Sequence, residues 1–486
     1  MASKYKKINM NDLKEHLVSS FFKEWKDKEQ LVGLELEVIP FRTGSKGLPH
    51  VIPLFSSGRA CTSWCESDHD LGWSGLLEIL RSFEGQCDGM RFEPSDDKTP
   101  RFVFNSGAQL TFEPGGQLEY SSAAEADIQQ VTSQLFRTLD RLEQLLKPHE
   151  IIFHYGALNP WYRTEEVGLQ IKKDRYLVMD RYFARLSPYG QKMMRLTASF
   201  QVNLDVGDRE TAQRRWLAAN LLSPVFLAVF GNSPFHQAKP TGYKSYRALI
   251  WEKLDPSRTG FQDGLIKEEY EKCPGKQYLD FALSAYCMLP GELGRREPLM
   301  RFSEWMEHGF NGMYPDLSDW EDHLTTLFPE VRPRGFLEMR YMDTLPKAFY
   351  SVPGTLLRRL MYEDSLLDKV ISELGPLRPH LRELVMQSAQ SGLEVDVLRE
   401  KAIVFFKELF NLPPNQDENL LEIARLFYEK YTRRGLSPAD ELLHLNDGHC
   451  PSLQQFRQLA RYRLQLVEEP LNKLLASTTS IDSEAD

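Results

Sequence analysis

The chain has 486 residues, is 42% hydrophobic, and carries a formal net charge of -10 with a pI of about 5.7. This length allows a large core or two to three domains, and the acidic balance argues against general binding of nucleic acid or of an anionic membrane. No apolar segment follows the charged start Met1–Lys7, and no segment has the ~20 apolar residues of a membrane span, so we expect a cytoplasmic protein without a membrane anchor.

Six cysteines in so long a chain do not form a disulfide framework, which agrees with a reducing compartment. Cys61 and Cys65 form a C-x3-C pair, but no second pair lies nearby. A structural zinc site needs four ligands, so an ordinary loop pair is favoured over zinc.

The first elements are a helix and an acidic strand. Asn11 or Asp12 can cap a helix whose apolar face comprises Leu13, Leu17, Phe21 and Trp25. Residues 31–41 are predicted to be a strand, and the alternation of apolar and acidic side chains over Leu34–Val38 puts Glu35 and Glu37 on one face. Alone, such alternation is more often a solvated face than a site.

A long Gly-, Ser- and Pro-rich loop is predicted over 42–75, and a hairpin over 101–121. The hairpin turn reads Glu113-Pro-Gly-Gly-Gln117-Leu-Glu119. A plain turn needs neither the glutamine nor two acids, and paired glycines allow backbone to approach a ligand closely. This motif therefore indicates a binding turn more strongly than the first strand does.

The middle of the chain alternates helices and strands. Helical spacing predicts a helix over 123–147 and another over 209–230, and strands are predicted over 151–157 and 196–206. The strand over 196–206 has one wholly polar face, made of Thr197, Ser199, Gln201, Asn203 and Asp205. Residues 236–262 are predicted to be a polar, aromatic loop region.

The last strand is predicted over 335–342 and places Glu338 and Arg340 on one face. Such a pair can hold a metal and a phosphate, or it can be a surface ion pair worth ~0–1 kcal/mol. Residues from about 355 onward are helical. We expect an α+β fold with a mainly antiparallel sheet backed by helices, divided into a catalytic sheet domain (1–354), a helical C-terminal region packed on it (355–476) and a flexible tail (477–486).

Acids from three distant strands that meet on a sheet would repel one another unless hard cations lay between them. Oxygen-only ligands suit Mg²⁺, usually alongside nucleotide phosphates. The chain has no Walker-A lysine motif, G-x-G-x-x-G or G-x-S-x-G, which excludes phosphate loops and hydrolase elbows of those kinds. The residues therefore favour a metal-dependent phosphoryl-transfer enzyme.

The chain resembles the glutamate–cysteine ligases of the plant and proteobacterial type. The matching runs, in order from about 33 to 345, are Gly33-Leu-Glu35-Leu-Glu37, Phe112 to Glu119, Arg175-Tyr176-x-x-Met179, Met193-Met194-x-x-Thr197, Gln201-Val-Asn203-Leu-Asp205, Asn232-Ser-Pro234, Ser245 to Trp251, Arg258-Thr-Gly260, and His323 to Arg332 with Leu337-Glu-Met-Arg340. The resemblance implies a glutamine-synthetase-like cradle of six antiparallel strands that holds ATP, two or three Mg²⁺ ions and an amino acid.

The resemblance also implies residue roles. The implied metal ligands are Glu35, Glu37, Glu113, Glu119, Gln201 and Glu338. Glu338 and Arg340 would act in catalysis. The implied nucleotide contacts are Arg340, Asn203 and Gln117, and the implied substrate contacts are Arg247, Trp251, Gln201, Thr197 and Met194.

The implied reaction joins the γ-carboxylate of glutamate to the amine of cysteine at the expense of ATP, through γ-glutamyl phosphate. The runs Tyr341 to Pro346 and Ser284 to Cys287 differ from the plant pattern, which leaves open a γ-glutamyl ligase with another acceptor amine. A kinase on the same cradle and a nucleotide sensor without activity are further alternatives. The expected partners are small molecules, and nothing in the sequence decides between a monomer and a homodimer.

Overall fold

The computed structural model describes residues 7–20, 30–43, 49–55, 75–94, 99–269, 273–412 and 417–482. Phe21, Trp25, Cys61 and Cys65 lie outside these residues, as does most of the loop predicted over 42–75.

The described strands and helices alternate along the first 350 residues. The strands are β1 Val32–Thr43, β2 Pro49–Val51, β3 Arg91–Phe92, β4 Phe102–Val103, β5 Gln109–Phe112, β6 Leu118–Ser121, β7 Ile151–His154, β8 Ser199–Asp205, β9 Phe235–His236, β10 Lys239–Pro240, β11 Thr259–Gly260, β12 Phe328–Pro329, β13 Val331–Pro333 and β14 Phe336–Asp343. The helices are α1 Met10–Ser20, α2 Leu76–Arg81, α3 Ile128–Leu146, α4 Thr164–Val167, α5 Asp174–Leu186, α6 Pro188–Leu196, α7 Arg209–Phe230, α8 Tyr246–Leu254, α9 Asp263–Ile266, α10 Pro274–Ser284, α11 Phe302–His308, α12 Leu317–Leu324, α13 Ser351–Tyr362, α14 Asp364–Leu374, α15 Leu381–Ser391, α16 Asp396–Asn411, α17 Glu418–Lys430, α18 Pro438–Leu445, α19 Leu453–Leu466 and α20 Glu468–Asp482.

The main sheet is antiparallel, which confirms the predicted fold class. Its strand order is β13-β14-β8-β1-β6-β5-β4-β3, and β2 and β7 pair with other parts of the long strand β1. Within the described residues this sheet contains ten strands rather than the six that the resemblance implied. Four of its strands are only two or three residues long, which is too short for alternating polarity to predict them.

The two faces of the sheet have opposite character, because side chains alternate along each strand. One face is apolar: Leu34, Leu36, Val202, Leu204 and Leu337 are buried on it. Helices α3, α7 and α13 pack against this side. Asp127 and Asp208 cap α3 and α7 by accepting backbone N–H bonds from Gln129 and Thr211, at 2.9 Å each. The other face carries the polar side chains of the candidate site.

The prediction of a loop over 236–262 is wrong in part, because this segment contains α8. This helix starts at Ser245, whose hydroxyl accepts a hydrogen bond from the backbone N–H of Ala248 at 3.2 Å. Five of its residues are buried, among them Arg247 beside the apolar Ile250 and Leu254. A helix enclosed on several sides has no solvent-facing stripe, so the 3.6-residue polarity pattern is missing from its sequence.

All described elements from Ser351 onward are helical, in agreement with the expected C-terminal region. The helix predicted over 452–475 is two helices, α19 and α20, with Val467 between them. Helix α20 continues to Asp482, into the segment predicted to be a flexible tail, and residues 483–486 lie outside the described part. The described cysteines Cys87, Cys273, Cys287 and Cys450 are free thiols.

No described helix combines the length and apolar character needed to cross a membrane.

Candidate active site

A cavity of about 230 Å³ opens on the polar face of the main sheet. Its walls come from β1, the β5–β6 turn, β8, β13, β14, helices α5, α6 and α8, and the residues around Phe328. The lining side chains are Glu35, Glu37, Glu113, Pro114, Gln117, Glu119, Arg175, Tyr176, Met179, Met193, Met194, Thr197, Gln201, Trp251, Thr325, Phe328, Arg332, Arg334 and Arg340. Ten of the thirteen predicted site residues thus line one cavity.

One wall of the cavity consists of four glutamates, which we call the carboxylate wall: Glu35, Glu37, Glu113 and Glu119. Glu35 and Glu37 share a face of β1, and Glu119 lies directly opposite Glu37 on β6. Glu113 lies at the start of the connecting turn, where its N–H donates to Gln117 O at 2.9 Å. Directly opposed like charges destabilise a sheet, so this placement has a cost that folding alone does not explain.

The pKa values of the four glutamates reflect that cost. Burial raises the pKa of Glu35 to about 7, with further contributions from Glu338 and Glu119. Burial and the facing Glu37 raise the pKa of Glu119 to about 7. Burial followed by repulsion from Glu119 and Glu37 raises the pKa of Glu113 well above its usual range, and burial raises that of Glu37. By surface area each of the four is half-buried, because it faces the cavity, but the protein around it keeps bulk water away.

The polar face of β8 supports this wall. Ser199 donates to Glu37 through its backbone N–H at 2.9 Å and through its hydroxyl at 2.6 Å. Asn203 donates from Nδ2 to Glu35 Oε1 at 2.8 Å. Asn203, predicted to contact a nucleotide, thus also orients a carboxylate of the wall.

The residues fit a magnesium site of a particular kind. Among the described residues, no three His, Cys, Asp or Glu side chains are grouped closely enough to enclose one metal ion. The four carboxylates instead surround a cavity. Mg²⁺ typically takes one or two carboxylates and completes its shell with water and substrate phosphates, which matches an open arrangement of acids better than a closed cage.

Glu338 has a different environment from the four wall acids. It is fully buried and accepts from Arg332 through Nε at 2.6 Å and through Nη2 at 2.9 Å. Arg340 Nη1 donates to it at 3.0 Å, and Arg334 lies 3.4 Å away. Burial by itself would raise the pKa of Glu338, but these guanidinium groups outweigh it and hold the pKa far below its usual value. Both carboxylate oxygens are thus engaged by arginine, partners that the metal-ligand prediction did not include.

The three arginines that surround Glu338 form the opposite wall of the cavity, which we call the arginine wall: Arg332, Arg334 and Arg340. Arg340 Nη1 also donates to Gln201 Oε1 at 2.8 Å, so Gln201 orients a guanidinium in this arrangement. Arg175 on α5 lies near Arg332 and donates to Thr325 O at 2.7 Å. A planar, permanently charged guanidinium is well suited to bind phosphate oxygens.

The glycines of the β5–β6 turn serve packing rather than a ligand. A Cβ on Gly115 would lie 2.4 Å from Arg195 O, and Gly116 has a φ of +85°. Gln117 is 2% exposed, and its amide donates to Thr197 O at 2.8 Å and accepts from Gly115 N at 3.0 Å. The close approach predicted from the glycine pair is therefore to the protein's own backbone, and the amide of Gln117 ties the turn to the start of β8.

Arg247 and Trp251 on α8 lie at the boundary between this cavity and a small adjoining hollow. Arg247 Nη2 donates to Arg340 O at 2.8 Å, and Arg247 Nη1 lies 3.8 Å from Asp343 Oδ1. The Trp251 ring lies 5.6 Å from the guanidinium carbons of both Arg247 and Arg340. Trp251 thus lies close to both guanidinium groups and lines the cavity. Thr197 and Met194 line the same cavity from the end of α6.

Sequence reasoning gave no role to several lining residues. Arg175 and Arg332 were part of matching runs but carried no assigned function, and Arg334 and Glu330 were not singled out. Arg332 in β13 and Arg334 directly after the strand alternate with Pro333, a signal that could have indicated a second charged strand face.

Comparison with known proteins gives the family. The sequence profile of glutamate–cysteine ligase family 2 matches residues 88–458, well over half of the chain. The chain belongs to this family. The match begins after Glu35 and Glu37, and it is the pairing of β1 with β6 and β8 that brings those two acids to the other site residues.

Individual family members agree with this assignment. The chloroplastic glutamate–cysteine ligase of Arabidopsis thaliana is 27% identical over 371 residues, which cover 70% of this chain and 66% of that protein. The Solanum lycopersicum enzyme is 29% identical over 353 residues, with 70% and 66% coverage. The chain thus matches about two thirds of the length of these relatives. A solved glutamate–cysteine ligase from Francisella tularensis, in complex with AMP, aligns over 95% of both chains with 12% identity and a TM-score of 0.46. The family assignment rests on the sequence matches.

Proposed function

We propose that this family member is an ATP-dependent glutamate–cysteine ligase that forms γ-glutamylcysteine, ADP and phosphate. The observation that carries this proposal is the division of one cavity into a carboxylate wall and an arginine wall. Four under-compensated carboxylates call for cations, and an array of guanidiniums opposite them calls for an anion of high charge. A nucleotide triphosphate bound with Mg²⁺ supplies both.

In this proposal the carboxylate wall, Glu35, Glu37, Glu113 and Glu119, holds two or three Mg²⁺ ions. Bound there, the metal would neutralise charge on the phosphates during transfer. Arg332, Arg340 and Arg175 would contact phosphate oxygens from the opposite side. Glu338 would act by holding Arg332 and Arg340 in place, because both of its oxygens already accept from them.

The substrate side of the proposal uses the α8 boundary. Arg247 would bind the α-carboxylate of glutamate, and Trp251 with Met194 would exclude water from the reacting groups. The γ-carboxylate oxygen attacks the γ-phosphorus of ATP and ADP leaves, giving γ-glutamyl phosphate. The amine of cysteine then attacks the acyl carbon, and phosphate leaves. The protein contributes mainly by positioning and by screening charge.

The division of labour along the chain remains part of this proposal. The sheet and its connections, 1–354, would carry the chemistry, and the helices of 355–476 would support it. Helix α13 marks that change, since it packs on β1 and β8 from the apolar face. In this proposal the six-stranded cradle consists of β1, β6, β8, β13 and β14, which carry site residues, and of β5, whose turn into β6 carries Glu113.

A second candidate keeps the chemistry and changes the acceptor amine. It is favoured by Tyr341, which begins the run that departs from the plant pattern and which lines the hollow beside Arg247. A γ-glutamyl ligase for a different amino acid would use the same two walls.

One experiment separates these functions. Purified protein is given MgATP, glutamate and each of the common amino acids in turn, and ADP, phosphate and γ-glutamyl products are measured. We expect one phosphate per ADP and γ-glutamylcysteine as the main product. ADP without phosphate would indicate a kinase, and a higher rate with another amine would establish the second candidate. No ADP with any amine would contradict both.

A further inference from the structure

A small hollow adjoins the main cavity behind Trp251, and Trp251, Phe328 and Arg340 line both. The hollow has about 20 Å³ of room, which accommodates one water-sized group. Both signs of charge meet in it, because Arg247, Arg340 and Glu330 contribute to its lining. A hollow of this size can receive the head of a ligand whose body lies in the main cavity.

The backbone holds Glu330 firmly in place. Its N–H donates to Gly260 O at 3.3 Å, and its carbonyl accepts from Arg340 N at 3.1 Å. The backbone carbonyl of Arg340 in turn accepts a hydrogen bond from Arg247 Nη2 at 2.8 Å. Two hydrogen-bonded steps therefore connect Glu330 to the guanidinium that is proposed to bind the α-carboxylate.

Arg247 and Arg340 line the hollow with Glu330, but no lysine or arginine in the described part of the chain forms a salt bridge with this carboxylate. Burial, with Glu252 as a further contribution, raises the pKa of Glu330 to about 7, although Arg247 and Arg340 act in the opposite direction. Tyr341 also lines the hollow, and its buried Oη has no hydrogen-bond partner among the described residues. A carboxylate and a phenol oxygen are both acceptors, so together they match a group with several N–H donors.

We propose that Glu330 and Tyr341 Oη bind the α-ammonium group of the glutamate substrate while Arg247 holds its α-carboxylate. This inference rests on the proposed function and adds to it the recognition of the donor as an α-amino acid rather than as any γ-carboxylic acid. An ammonium group is about the size of a water molecule, which is the room that the hollow offers.

The donor ammonium fits this place better than the acceptor amine. The α-ammonium and α-carboxylate of glutamate are attached to one carbon atom, so the groups that bind them must be neighbours, as Glu330 and Arg247 are. The acceptor amine has to lose its proton and reach the acyl phosphate, which in the proposed function lies between the carboxylate and arginine walls.

The test compares glutamate with glutarate, which is glutamate without the α-ammonium group. The value of kcat/KM for each is measured by ADP release at saturating MgATP and cysteine, for the wild type and for Glu330→Gln. We expect the variant to lose about 10–100-fold with glutamate and to keep its value with glutarate, because only glutamate presents the group that Glu330 binds. Tyr341→Phe should show the same pattern more weakly.

Glu252→Gln is the matched control, because Glu252 is a neighbouring half-buried acid that does not line the hollow. This variant should leave unchanged the ratio of kcat/KM for glutamate to kcat/KM for glutarate. Glu330→Asp, which keeps the charge, should recover part of the preference and also guards against a folding defect in the glutamine variant.

Equal losses with glutamate and glutarate would show that Glu330 only supports the neighbouring arginines, and a change confined to the KM for cysteine would assign it to the acceptor. Either result overturns this inference while leaving the proposed ligase intact. Wild-type protein that forms no ADP with glutamate would end the proposed function itself, and this inference with it.

Discussion

The four glutamates of the carboxylate wall line the cavity, and Glu338 is buried among the arginines of the arginine wall; the two sets of acids have opposite protonation behaviour. Glu35, Glu113 and Glu119 have raised pKa values, because burial and their mutual repulsion disfavour the charged form. The pKa of Glu338 is lowered, although it is buried more completely, because Arg332 and Arg340 donate to it. Partners, rather than burial, decide which of these acids is charged.

The contrast separates two roles that look alike in sequence. An acid that already has guanidinium partners stabilises the fold and positions those partners. Acids that are buried with one another are unfavourable until a cation arrives, so they are the candidates for metal binding. Four experiments can break or sharpen this distinction.

The largest expected effect is on stability, from Glu338→Gln. Removing the charge leaves Arg332 buried without its carboxylate, which should lower the free energy of unfolding by about 3–5 kcal/mol and reduce ligation as well. Urea unfolding without metal or nucleotide measures this. Glu429→Gln is a suitable control, because its pair with Arg433 is exposed on both sides and its loss should leave the free energy of unfolding nearly unchanged. A Glu338→Gln variant as stable as the wild type would contradict the assigned role.

Glu113→Gln should show the opposite combination. Ligation should fall about 10²–10³-fold, because a group that stabilises transferring phosphate is lost. The free energy of unfolding in metal-free buffer at pH 8 should stay the same or rise, because a repelled charge has been removed. Steady-state ADP release and urea unfolding on the same preparation provide both values. Loss of stability in parallel with activity would place Glu113 with Glu338 instead.

The pH dependence of stability should reflect the raised pKa values. In the folded protein Glu35 and Glu119 have pKa values of about 7, above the ordinary value for an unfolded glutamate. The folded state therefore binds more protons, and this contribution to stability is complete below about pH 4.5 and is lost as the pH rises through 7.

Mg²⁺ should offset that loss when it binds the carboxylates. The rise in Tm caused by Mg²⁺ should be larger at pH 8 than at pH 6, by about 2 °C or more. Thermal unfolding with and without the metal tests this, and the Glu35→Gln/Glu119→Gln double variant should reduce the difference. An identical effect of Mg²⁺ at the two pH values would argue against the carboxylate wall as its site.

The smallest expected effect comes from Arg334→Ala. This side chain is 52% exposed and only 3.4 Å from Glu338, so its loss should lower the free energy of unfolding by less than about 1 kcal/mol and raise the KM for ATP a few-fold. Arg332→Ala should be several times more damaging, because Arg332 lies in β13, is 14% exposed and is bound to Glu338 through two nitrogens. Equal effects of the two substitutions would mean that the burial of an arginine in this wall does not determine how damaging its loss is.

Features that depend on neighbouring residues in the sequence were predicted correctly, whereas features that depend on tertiary contacts were missed. Glu35 and Glu37 were correctly placed together, because alternation along a strand is a local property. Helix α8 was missed because tertiary contacts enclose it and remove the polarity pattern. Glu330 has no distinctive neighbours in sequence, and only the pairing of β13 with β14 places it beside Arg340 and Arg247.

The amino-acid sequence by itself determined the antiparallel α+β class, the strands that bear acids, and the family, since periodicity and motif order are written along the chain. Tertiary structure alone decided the charge state of each acid. A carboxylate on a strand has the same local sequence pattern whether an arginine or another carboxylate faces it. That choice depends on burial and on strand register: the β13–β14 pairing brings Arg332 to Glu338, whereas the β1–β6 pairing places Glu119, from a distant part of the chain, opposite Glu37.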